Sequence, residues 1–227
     1  MDIKIIVAAH KECEIPKDSV YLPLFVGSKG KPNIIGKRGG ANETFARDDS
    51  GENISEKNPT FCELTGIYWA WKNLDAEYIG LVHYRRIFGN GSHNNPMALA
   101  MSLAEYQKAL EKGGLLIPRK RNYYIESLYS HYSNTHSEEH LKLTREIIKN
   151  MHPDQVEIFD KSLDSTKGAM FNMFVMSKSI GGYGLPFALT FFKPEYAEDI
   201  FKERNEGNKE YRWGNEKSKQ HFCGKEE

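Results

Sequence analysis

The sequence predicts an α/β protein with a mostly parallel central sheet flanked by helices, and three observations carry the prediction. Residues Ile3 to Ala9 form an unbroken apolar run with β-branched members, the pattern of a parallel strand covered on both faces. Residues 48 to 82 read in succession as a polar loop, an amphipathic helix and a short buried strand. That strand ends in the charged tetrad His83-Tyr84-Arg85-Arg86, and open α/β sheets place ligands beside the carboxyl ends of their strands.

Composition narrows the function classes. The 227 residues suffice for one domain with a sizeable core. Lysine plus arginine equals aspartate plus glutamate, 31 each, so no global field draws the chain to nucleic acid. With 39% hydrophobic and 12% aromatic residues it is a folded globule. Cys13, Cys62 and Cys223 are odd in number and lack metal-ligand spacing, which argues against a disulfide framework or structural zinc and for a reduced, cytoplasmic compartment. The opening apolar run is too short for a signal peptide, and no window reaches the roughly 18 apolar residues a transmembrane helix needs. Membrane contact, if made, is therefore expected to be peripheral.

In chain order, the first strand ends at His10-Lys11-Glu12, and His10 reads either as a strand-end surface histidine or as part of a nucleotide site. Tyr21 to Gly27 is a second extended run closed by glycine. Residues 29 to 40 hold four glycines and Lys37-Arg38 without the order of a phosphate-cradling P-loop, and read as a surface loop. Asp48 to Pro59 is crowded with carboxylates, amides and turn formers but misses the glycine and glutamate positions of a calcium loop. Capping and turn formation explain it; the rival is that Asn53, Glu56 and Glu63 face a crevice and bind hydroxyls. Leu64, Ile67, Tyr68 and Trp71 follow at helical spacing, and Tyr78 to Val82 is the buried strand.

Adjacent arginines on a strand point to opposite faces, so one of Arg85 and Arg86 can enter a site. Guanidinium forks bind diphosphates bidentately without a metal. Met97 to Lys112 reads as a helix ending at Gly113-Gly114, and Leu115 to Pro118 as a strand. Arg119 to Tyr124, basic with aromatic neighbours, suits phosphate, a lipid surface or a solvated turn. His131, Tyr132, Asn134, His136 and His140 lack the glutamate-flanked order of a metalloprotease helix and read as a polar substrate-side loop plus helix, which runs on to Asn150. Asp160 and Asp164 are placed in a loop, and 168 to 178 is read as an apolar strand interrupted by Asn172, whose amide needs a partner such as a sugar hydroxyl or the backbone.

Four stretches in this order, IKIIVAAHKECEIPKDSVYLPLFVG, DDSGENISEKNPTFCELTGIYWAWKN, YIGLVHYRRIF and FDKSLDSTKGAMFNMFVMSKS, resemble a bacterial family catalogued as a domain of unknown function. That family occurs in capsule, exopolysaccharide and O-antigen loci, and its members are assigned as galactofuranosyltransferases. The resemblance covers most of residues 3 to 179. It implies a GT-A-like (Rossmann-like) fold that moves galactofuranose, with inversion, from UDP-galactofuranose to a lipid-linked saccharide at the inner face of the cell membrane. HYRR stands where many such enzymes carry an acidic metal motif, so no obligatory metal is expected, while manganese or magnesium stays open. Inversion needs one carboxylate as base, with Asp160, Asp164, Glu56 and Glu63 as candidates; His10, Asn53, His83, Arg85, Arg86, His131 and Asn172 are expected to bind substrate. The alternatives are a UDP-galactose transferase of the same fold, or a non-catalytic nucleotide- or saccharide-binding remnant. Residues 1–179 are thus expected to form a glycosyltransferase-like domain. Residues 180–227 lack the helices the family carries there and read as a divergent, truncated or frameshifted tail.

Overall fold

A computed structural model of the chain describes residues 1–89, 96–111, 114–169 and 171–178. The expected tail, residues 180–227, lies outside the described residues. The remainder falls into two units: Met1–Tyr124 with the chain from Thr166 onward, and Ile125–Ser165.

In the first unit, strand β1 (Ile3–Ala9) is followed by β2 (Glu14–Ile15), β3 (Tyr21–Phe25), β4 (Ile35–Arg38), β5 (Ala41–Thr44) and β6 (Ala46–Arg47). The short helix α1 (Asn58–Phe61), helix α2 (Leu64–Asn73) and strand β7 (Tyr78–His83) come next. Helix α3 (Leu103–Leu110) and strands β8 (Leu115–Leu116), β9 (Arg121–Asn122), β10 (Lys167–Gly168) and β11 (Phe174–Ser177) complete it. The central sheet has six strands in the order β6-β3-β1-β7-β11-β8. β1 is parallel to β3 and to β7, β6 is parallel to β3, and β11 runs antiparallel to both β7 and β8. The expected mostly parallel sheet flanked by helices is present.

The uniform apolarity of β1 follows from its central place. Its residues 3 and 5 to 9 are buried, and Ile5 and Val7 join Val20, Tyr21, Tyr106 and Val175 in one core. Helix α2 lies against β1 and β7. It buries Thr65, Gly66, Ile67, Trp69 and Ala70, so of the predicted stripe of Leu64, Ile67, Tyr68 and Trp71 only Ile67 is fully buried. Close approach is the reason: a Cβ on Gly66 would come within 2.8 Å of Val26 and 3.0 Å of Leu24. Tyr68 and Trp71 are half-buried on the other side, where they meet edge-on and the Lys72 ammonium lies 4.1 Å from the Trp71 ring centre.

Other elements depart from expectation for local reasons. Residues 35–38 are a strand, not a loop, because β4 pairs with β2 and β5 while the Arg38 guanidinium donates to the carbonyls of Pro16, Asp18 and Tyr21 and to Glu43. The helix expected from Met97 begins at Leu103, where Ser102 and Glu105 form a reciprocal capping box; a 3₁₀ turn precedes it at Pro96–Leu99. β11 begins at Phe174, not at residue 168, because Phe171 and Asn172 take left-handed backbone conformations.

The second unit is helical: α4 (Leu128–Thr135), α5 (Glu138–Met151) and α6 (Val156–Asp164) contact one another. Two corrections belong here. The polar stretch from Ser127 is helix α4, whose Ser127 hydroxyl accepts from the Ser130 amide as N-cap. Asp160 and Asp164 lie on helix α6, not in a loop.

Candidate functional site

The strand order defines where a ligand belongs. From β1 the chain turns to β3 on one side and later supplies β7 on the other, so the sheet's switch point lies between the carboxyl ends of β1 and β7. The register Ala9 with Phe25, Ala8 with His83 and Phe25 with Arg47 aligns the four parallel strand ends. His10, Gly27-Ser28, Asp48 and the His83–Arg86 tetrad therefore share one edge. β11 runs the other way, which brings the residues that precede it, Phe171 and Asn172, to the same edge.

The tetrad is a tight turn. The His83 amide donates to the Arg86 carbonyl and the Arg86 amide to the His83 carbonyl, both at 2.9 Å. The alternation of strand side chains thus does not reach Arg85 and Arg86, which replaces the opposite-face expectation. Both are exposed, and among the described residues neither pairs with a carboxylate. Their guanidinium carbons instead lie over aromatic rings, Arg85 5.2 Å from Tyr84 and Arg86 4.4 Å from Phe171. Among the described residues, the ring contacts therefore leave no carboxylate competing for these N–H groups.

His10 stands edge-on to Tyr84, with ring centres 5.4 Å apart. Although much of His10 meets water, partial withdrawal from solvent, then the charges of Lys11, Arg85 and Lys31, lower its pKa from the usual 6.5. Three cations acting on one imidazole make this edge electropositive. His83 Nε2–H donates to the Phe171 carbonyl at 2.7 Å, tying the tetrad to the lead-in of β11. Asn172 Nδ2 donates to Glu63 Oε1 at 3.0 Å. Cys62, Tyr124, Phe171 and Asn172 are the non-glycine residues with positive φ among those described; Asn172 makes this contact, and Cys62 and Phe171 are the chain neighbours of its two residues. Such backbone costs about 1–3 kcal/mol per residue and concentrates at functional sites.

Asn53 and Glu56 both engage nearby groups. Asn53 Nδ2 donates to the Asp49 and Gly51 carbonyls while its Oδ1 accepts from the Ser55 amide, which fits capping rather than hydroxyl binding. Glu56 pairs with Lys29. His131, Asp160 and Asp164 belong to the second unit. His131 Nδ1 lies 3.1 Å from Glu126. Asp160 takes a bidentate pair from Arg145, 2.8 Å on each oxygen, which lowers its pKa from the usual carboxylate value; Asp164 is exposed at the end of α6.

Sequence reasoning missed Asp48 as an organiser. It is fully buried and accepts from the Gly27 and Ser28 amides and the Ser28, Ser55 and Thr65 hydroxyls, all between 2.6 and 3.0 Å. Its donors come from three separate stretches, so no local pattern announces it. Among the described residues no group of three or more His, Cys, Asp or Glu side chains is arranged to hold a metal ion, and no helix is long and apolar enough to cross a membrane.

Residues 4–183 match the family described as Domain of unknown function (DUF4422). No curated protein matches the chain. Among solved structures, the chain is similar to the apo structure of the bifunctional glycosyltransferase WbbM, with a TM-score of 0.75 and 25% identity over 97% of this chain. It spans 40% of that protein's length.

Proposed function

This chain belongs to the DUF4422 family, and on that premise we propose that it transfers galactofuranose from UDP-galactofuranose to a lipid-linked saccharide acceptor, working in the cytoplasm at the inner face of the membrane. The general class, glycosyl transfer, is supported by the shared fold of a glycosyltransferase; the donor and acceptor rest on the sequence resemblance. The observation that carries the mechanism is the pair of exposed guanidinium groups of Arg85 and Arg86 at the switch point, which meet no carboxylate among the described residues.

In the proposed reaction the acceptor hydroxyl oxygen bonds to the anomeric carbon as the bond from that carbon to the β-phosphate oxygen breaks. The electron pair leaves with UDP. Arg85 and Arg86 neutralise the growing charge on the diphosphate, so no divalent metal is obligatory. The acceptor proton passes to a carboxylate on the opposite side of the sugar, giving inversion. Glu63 is the first candidate: Asn172 donates to its Oε1, and among the described residues no partner engages Oε2, whereas Asp160 and Glu56 pair with Arg145 and Lys29.

Turnover with UDP-galactofuranose and with UDP-galactose, in chelator and in manganese, tests the reading. Release of UDP from the furanose donor in chelator, dependent on a lipid-linked saccharide, is expected. Turnover of the pyranose donor alone selects the alternative sugar, and binding of UDP without turnover of either selects a non-catalytic module. Glu63→Gln is expected to lower kcat by at least about a hundredfold with donor affinity retained.

A further inference from the structure

The basic-aromatic segment between β8 and α4 has no part in the site above, and its geometry is deliberate. Arg119, Lys120 and Arg121 are consecutive and exposed, and none of the three pairs with a carboxylate among the described residues. Leu115 on the edge strand β8 and Ile117 just after it are 48% and 42% exposed, and Tyr124 is 81% exposed. Solvated turns do not usually hold a large ring this far out of the fold.

Tyr124 is held there by the backbone. β9 pairs with β10, the Tyr123 amide donates to the Thr166 carbonyl at 2.8 Å, and the Tyr124 amide donates to Asn122 Oδ1 at 3.0 Å. The Arg121 guanidinium carbon lies 5.1 Å from the Tyr123 ring centre. Within this pinned ribbon Tyr124 has φ +61°, a conformation that suits glycine or asparagine and costs a tyrosine strain. The chain thus exposes an aromatic ring, two aliphatic side chains and three cations within ten residues.

We propose that Leu115–Tyr124 is a docking surface for the headgroup region of an anionic bilayer. Cations are drawn to anionic headgroups, aliphatic side chains enter the boundary beneath them, and tyrosine seats its ring there with its hydroxyl toward water. The chain's formal charge is zero, so attraction must come from such a local cluster rather than from the whole molecule. The inference deepens the proposed function, since an enzyme acting on a lipid-linked saccharide must meet a membrane, but the surface itself is read from the segment alone.

The test is co-sedimentation of the full chain with vesicles of phosphatidylcholine alone, or mixed with phosphatidylglycerol, at low and high salt and without any sugar donor. Binding to the mixed vesicles that weakens with salt is expected. Arg119→Ala/Lys120→Ala/Arg121→Ala is expected to lower partitioning about a hundredfold, roughly fivefold per residue. Tyr124→Gly relieves the left-handed strain, so it should leave thermal unfolding unchanged or raise it while weakening vesicle binding several-fold. Equal binding by the triple variant, no binding to anionic vesicles, equal competition by a soluble polyphosphate, or an effect of these variants on oligomeric state alone would each overturn the proposal. Because no donor is present, failed sugar transfer leaves this result standing, and failed vesicle binding leaves the transfer assay standing.

Discussion

At the scale of single residues, two side chains carry most of the argument. Asp48 gathers five donors from residues 27, 28, 55 and 65 without a cation. Asp48→Ala would strand all five in a buried place and is expected to cost about 3–5 kcal/mol in urea unfolding. His10 reports on the site itself. Partial withdrawal from solvent, then the charges of Lys11, Arg85 and Lys31, disfavour its imidazolium form, so its NMR titration is expected below the ordinary 6.5. A bound diphosphate places negative charge beside those cations and favours the imidazolium, so UDP should move the titration upward; Arg85→Ala should do so without UDP. An unmoved His10 resonance would separate it from the ligand. The sequence marked His10 and the arginines because strand-end charge is a local signal. It could not mark Asp48, whose donors are brought together by folding alone.

At the scale of elements, apolar continuity made β1 and β7 legible, and their parallel pairing follows from burial on both faces. β11 was legible as a strand but not in direction or start, because its left-handed lead-in at Phe171-Asn172 leaves no compositional trace. Helix α2 was found with its buried face misassigned, since Gly66 and Ala70 pack by smallness rather than hydrophobicity. Gly80 shows the same effect in β7: a Cβ there would lie 2.6 Å from Ile5, 2.9 Å from Val175 and 3.0 Å from the Phe174 carbonyl. Gly80→Ala is therefore expected to push β1 and β11 away from β7 and to cost about 1–3 kcal/mol, read as a lowered midpoint in chemical denaturation. An unchanged midpoint would mean that the sheet's centre yields more readily than its packing implies.

At the scale of the whole molecule, the switch point between β1 and β7 was implicit in the sequence: a leading parallel strand, then a helix and a strand ending in HYRR. The turn that sets the arginines over Tyr84 and Phe171 was not, because Phe171 lies far along the chain. Asp160, Asp164 and His131 fall in a separate helical unit, which sequence spacing did not separate from the sheet. What unites the account is the proposal that two guanidinium groups, rather than a divalent ion, hold the departing diphosphate. Calorimetric titration of UDP in the presence of chelator tests this most directly. Wild-type protein is expected to bind without added metal, and Arg85→Ala/Arg86→Ala to lose at least about a hundredfold in affinity, as expected for the loss of two charge-assisted contacts. Binding that appears only with manganese, or that survives the double substitution unchanged, would contradict it.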